Sequence, residues 1–237
     1  MEYSLYLESG PRMKTTMVHV PELLGCVANG PTTEAALEAA ADEIRHYLRF
    51  LARHDEDADP NAAFETRVAQ HVTEGSWIGY GDPPAGFAFD FEPLAREELP
   101  LHLRRLRWMG EDLAAIAGRL TPEDMAAKPP KGRSLGDIFR HVAAAEPEYV
   151  RTAGAGKPEG AKELVEAIDE SPPNVAQMLP RLWEAVIAQF ESTSDEALSK
   201  TTQRGERPYT TRRGLRRALE HPWEHLREIE RRLGETR

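Results

Sequence analysis

Three histidines, His141, His221 and His225, are the residues of this chain whose types and spacing could do chemistry. His221 and His225 stand four apart in Glu220-His221-Pro222-Trp223-Glu224-His225. Positions i and i+4 share one face of a helix, so two imidazoles there can hold one metal ion. His141 ends the run Ser134-Leu135-Gly136-Asp137-Ile138-Phe139-Arg140-His141 and could supply a third nitrogen from a facing helix. Three protein nitrogens leave at least one coordination position open, the arrangement of catalytic rather than structural metals. Imidazoles alone do not choose among zinc, nickel, copper and iron. On a solvated helix face the same spacing needs no metal. His19, His46, His54, His71 and His102 show no such spacing and read as structural or surface residues.

Other polar residues near these runs have two readings each. Glu224 completes His-x-x-Glu-His, the inverted zinc-peptidase pattern, which also needs an acidic ligand further downstream. Only about twelve residues follow His225, so Glu224 reads as a solvated residue or as a partner for an imidazole N–H. Asp137 lies one turn before His141 and either orients that ring or faces the dipole of its helix. Arg204, Arg207, Arg212, Arg213, Arg216 and Arg217 crowd the approach to the last helix. They read as a solvated face paired with Glu220 and neighbouring acids, or as a clamp for a substrate carboxylate near the metal. Cys26, the one cysteine, excludes an internal disulfide and a cysteine-rich zinc site, and its expected state is burial.

Four long amphipathic helices must position the histidines. They are expected at Glu98 to Leu120, Ser134 to Arg151, Asn174 to Ser192 and Arg212 to Leu233, each with apolar residues at helical period. Thr121-Pro122-Glu123-Asp124 starts a short extra piece. Pro129 to Gly132, Ala153 to Lys162 and the polar residues 193–211 read as connections. The pattern predicts a four-helix bundle, and the long link between its second and third helices allows a crossover. His141, His221 and His225 all fall at the border of their apolar stripes.

The first part reads as α+β. Tyr3 to Leu7 and Thr15 to Val20 alternate as strands and, with the Gly10-Pro11 turn between them, predict a hairpin. Pro21 to Gly30 reads as irregular. Thr32 or Thr33 caps a helix running from Glu34 to about His54. Asp55 to Asn61 breaks it, and a weaker strand covers Thr66 to Val72. A Gly/Pro-rich stretch, 75–86, precedes an expected strand at Phe87 to Phe91.

The net charge of −10 is unevenly placed. Residues 1–97 carry 17 acids and 7 bases, a net of −10, and residues 98–237 carry 23 of each. The step predicts a boundary near residue 97, with domains 1–97 and 98–237. An acidic first domain repels phosphate backbones, so no nucleic-acid partner is expected. The N-terminus lacks a basic segment followed by an apolar one, and no run approaches a membrane span. The expectation is a cytoplasmic protein without a membrane partner.

Two resemblances bear on these parts. Residues 98–235 resemble the DinB/YfiT-like superfamily of four-helix-bundle metalloenzymes. Leu120 to Met125, Ser134 to Glu146 and Arg216 to Ile229 carry the likeness. It implies a divalent metal, zinc or nickel, on His141, His221 and His225. It also implies a thiol-dependent transferase, isomerase or hydrolase in which a low-molecular-weight thiol meets a small electrophilic substrate. Pro222, inside the ligand helix, and Lys131-Gly132-Arg133, where the family often has a Trp, depart from the pattern. The run Val20 to Leu37 resembles HicB-like domains, which implies a small antiparallel sheet with one long helix over residues 3–72. A helical bundle follows where antitoxins of that family carry a DNA-binding module, so self-association or an accessory role is expected here. The alternative to an enzyme is a non-catalytic, antitoxin-derived protein-binding module whose bundle forms a homodimer.

Overall fold

The computed structural model describes residues 1–74, 78–79, 86–170, 174–204 and 207–235. Strand β1 (Glu2–Ser9) turns into β2 (Thr16–His19), pairing Tyr6 with His19 and Ser9 with Thr16. Its alternation buries Tyr3, Leu5 and Leu7 on one face, as the period of two requires. The hairpin expected from the sequence is present.

Three other readings of this part are corrected. Val27–Gly30, within the stretch read as irregular, is a third strand, β3, paired with β2. Asn29 and Gly30 have little strand propensity, and the ladder from β2 overrides it. The sheet is mixed rather than antiparallel: β4 (Glu65–Val72) lies parallel to β1, giving the order β3-β2-β1-β4. Between β3 and β4 runs α1 (Thr33–Arg53), which carries the chain back so that β4 enters in the direction of β1. Thr32 caps α1 by accepting from Ala35 N. Lastly, Ala88–Phe91 is a 3-10 turn, not a strand. Asp90 closes it by accepting from Phe87 N at 3.0 Å. Of the Gly/Pro-rich stretch, 75–77 and 80–85 lie outside the described residues.

The rest is mostly helical. The expected long helices are α2 (Leu99–Ala117), α4 (Leu135–Thr152), α6 (Val175–Glu191) and α8 (Thr211–Leu233), and the short piece is α3 (Pro122–Ala126). The connections hold more structure than their composition signalled. Helix α5 (Ala161–Glu170) starts at the end of the loop expected over Ala153 to Lys162. Helix α7 (Asp195–Ser199) and a hairpin of β5 (Thr202–Arg204) and β6 (Arg207–Tyr209) occupy 193–211. These elements are short, so their periodicity is weak and their packing against neighbours decides them.

Helix α2 packs on α6 and α8, and α4 packs on the same two. Trp183 of α6 lies so close to Gly110 of α2 that a Cβ there would stand 2.5 Å from the indole ring. One apolar cluster runs from Tyr3 through Tyr47, Leu106, Phe139 and Trp183 to Ile229, joining the sheet and the helices. Tyr47 of α1 meets Trp223 of α8 edge-on at 4.8 Å between centroids. Among the described residues no helix is long and apolar enough to cross a membrane.

Candidate metal centre

Helix α4 is started by Ser134, whose hydroxyl accepts from Asp137 N while the Asp137 carboxylate accepts from Ser134 N. Leu135, Ile138, Phe139 and Val142 bury its apolar stripe, which fixes its rotation and sets His141 against α8. Helix α8 is capped by Thr210 and ends at Gly234 in the left-handed conformation. It continues through Pro222 as one helix, and His221 and His225 stay one turn apart with ring centroids 4.8 Å from each other.

The structure brings the three histidines together. Centroids of His141 and His221 are 4.9 Å apart, and those of His141 and His225 are 5.1 Å apart. One nitrogen from each ring lies within 4.8 Å of the others. Nε2 of His141 and Nε2 of His221 are 3.1 Å apart, close to the roughly 3.3 Å of two nitrogens bound tetrahedrally at ~2.0–2.1 Å. His221 is buried, and the other two are partly exposed.

The electrostatics favour neutral imidazoles, the form that ligates a metal. Burial, then the charges of Arg133 and His225, hold His141 down to about 4. Burial, then His225, Arg217 and His141, hold His221 well below the usual imidazole range.

Two carboxylates that the sequence reading missed stand behind these rings. Glu228 accepts from Nδ1 of His225 at 3.0 Å, which leaves Nε2 of that ring for the shared site. This bond outweighs burial, which acts the other way, and puts the Glu228 pKa below the usual range. Glu146 is fully buried, and its Oε1 lies 3.5 Å from Nδ1 of His221. Burial pushes its carboxyl well up. Tyr149 packs on His221 at 5.4 Å, and the Arg217 guanidinium lies over the Tyr149 ring. Glu228 shares the helix face of His221 and His225, a spacing visible in the sequence; Glu146 gave no such signal.

The other expected site residues have different partners. Asp137 caps α4 and pairs with Arg140, and Glu224 accepts from Asn29 at 2.7 Å and pairs with Arg217. Arg212 binds Glu98 and two loop carbonyls. Arg213 donates to the Pro208 carbonyl. The side chains of Arg204 and Arg207 lie outside the described residues. Cys26 is buried, as expected, and burial raises its thiol pKa.

The expected pairing of Arg216 and Arg217 with Glu220 is present, but it is buried rather than solvated and extends to Asp90 and His19, which the sequence did not disclose. Arg216 donates to Asp90 at 2.8 Å and to Glu220 at 2.9 Å, and Arg217 also donates to Glu220 at 2.9 Å. His19 of β2 bridges Glu220, at 2.7 Å from Nδ1, and Glu8 of β1, at 3.2 Å from Nε2. The residue before His221 is thereby tied to the N-terminal sheet.

The sequence model described as the DinB superfamily matches residues 105–229, which contain all three histidines, Glu146 and Glu228. No curated protein and no solved structure matches the chain.

Proposed function

Since this chain belongs to the DinB superfamily, we propose that it is a divalent-metal-dependent enzyme with His141, His221 and His225 as ligands. The activity proposed is thiol-dependent transfer or isomerisation on a small electrophile, with zinc or nickel as the metal. The observation that carries this reading is the meeting of three imidazole nitrogens, with His141 and His221 held in the neutral form. When bound there, the metal supplies Lewis acidity that lowers the pKa of a thiol or water brought to it. The protein's own residues do the rest. Glu228 holds the His225 ring, burial keeps His141 and His221 deprotonated, and Tyr149 covers one side of His221. The ring of contacts among α2, α6, α4 and α8 supports the four-helix bundle in which such a site is built. For residues 1–97 we propose a HicB-like accessory module, supported by three strands, one long helix and a returning strand in that order.

Metal analysis tests the site. Protein purified without added metal and then given zinc or nickel should hold about one ion per chain at a site of this kind. His141→Ala and His225→Ala should hold little while keeping the wild-type circular dichroism. Wild-type protein that takes up neither metal, or variants that bind as well as wild type, would sink the proposal.

A further inference from the structure

Glu146 is a carboxyl with no exposure to solvent, and neither of its oxygens has a hydrogen-bond partner. Nδ1 of His221 is likewise buried without one. The two face each other at 3.5 Å across the contact between α4 and α8. Buried polar groups are almost always paired, so two complementary orphans side by side call for an explanation. The opposite nitrogen of the same ring, Nε2, faces His141 at 3.1 Å. His221 thus stands between a carboxyl on one side and the three-histidine cluster on the other.

We propose that Glu146 is the positioning residue for His221. Its carboxylate accepts the Nδ1–H hydrogen bond, which leaves the Nε2 lone pair directed at the metal. This rests on the three-histidine reading above and adds to it a second buried carboxylate behind the site. An imidazole that gives Nε2 to a metal must carry its proton on Nδ1, and that proton needs an acceptor. A closing movement of about half an ångström brings the pair to an ordinary hydrogen-bond length. Glu228 already makes the equivalent bond to His225. With both carboxylates in place, the two charges of a divalent ion are balanced from behind the ligands, although the three ligands are neutral. As a structural residue alone, Glu146 would have no reason to be acidic. It follows Val142 and Ala143 on the buried side of α4, where an apolar residue would pack without desolvating a carboxyl.

The test is zinc affinity by competition with a chromophoric chelator, together with the melting temperature of the metal-free protein, for Glu146→Leu and Glu146→Gln. The Leu variant should bind zinc 10–100-fold more weakly than wild type, the usual effect of losing such a partner. Its metal-free melting temperature should stay level or rise. The Gln variant, which keeps an acceptor of the same shape, should recover part of the affinity. Equal zinc affinity in wild type and both variants overturns the positioning role while leaving the three-histidine site standing. So does a lowered melting temperature with unchanged affinity in the folded protein. If the Leu variant does not fold, the Gln variant decides, with a clear loss of affinity expected and wild-type affinity overturning the proposal. Failure of wild-type protein to bind zinc or nickel at all removes the site and this inference together.

Discussion

Glu220 and His221 are neighbours in sequence with separate duties. His221 turns its Nε2 toward His141, whereas Glu220, 1% exposed, accepts from His19, Arg216 and Arg217. Those donors are buried as well, so the carboxylate is what keeps two guanidinium groups inside the protein tolerable. Replacing one partner of such a set leaves its counter-charges unpaired and typically costs about 3–5 kcal/mol. Glu220→Gln should therefore lower the unfolding free energy of the metal-free protein by about that amount, read from urea titrations. His225→Ala removes a half-buried ring on the same helix and should cost far less in the same measurement. Similar losses for the two variants would show that the network around Glu220 holds nothing together.

At the scale of elements, the long helices were legible because each carries an apolar stripe over several turns and has a capping residue at its start. The three histidines were legible for the same reason, since helical spacing puts His221 and His225 on one face. What was not legible depends on contacts distant in sequence. His19 and Glu220 meet across 201 residues, and no local pattern announces them. Glu146 reads as one more charge in an Ala-rich run, and only the packing of α8 on α4 buries it. Strand β3 has the composition of a turn and is held by β2. The aromatic run at Phe87 to Phe91 looks like a strand, but Asp90 curls it into a turn and then binds Arg216. Close helix contact brings a further prediction. Gly110→Ala gains about 1 kcal/mol of helix propensity. It also forces a methyl to within 2.5 Å of the buried Trp183 ring, an overpacking that costs about 1–3 kcal/mol. The expected result is a net loss of stability in thermal melts, with a shift in Trp fluorescence. A melting temperature above wild type would mean that α2 and α6 can separate freely.

The whole molecule is joined by charge as well as by its apolar cluster. His19 comes from β2, Glu8 from β1, Glu220 and Arg216 from α8, and Asp90 from the turn before α2. The Phe87 ring packs on His19 at 5.0 Å. Burial alone would lower the His19 pKa, but the charge and hydrogen bond of Glu220, with the bond to Glu8, outweigh it and Arg216, so the pKa is raised. An unfolded histidine titrates near ~6.5. A folded pKa above that value means that protonated His19 stabilises the fold fully below pH ~6.5. The contribution is lost as pH rises through the folded value. His102 of α2 works in the opposite sense. Burial, then Arg105, hold it down to about 4, so its contribution is present above pH ~6.5 and lost as pH falls toward 4. His141 and His221, held down in the same sense as His102, add to the acid limb, so the histidine contributions to the stability of the metal-free protein peak near pH ~6.5, with one limb falling on each side. His19→Gln should flatten the alkaline limb above pH ~6.5 and leave the acid limb in place. His102→Gln should make the acid limb shallower, with the slope from His141 and His221 remaining, and leave the alkaline limb in place. The measurement is melting temperature against pH for the three proteins stripped of metal. An alkaline slope in His19→Gln as steep as in wild type would mean that the bridge from the sheet to α8 carries no charge in the folded state.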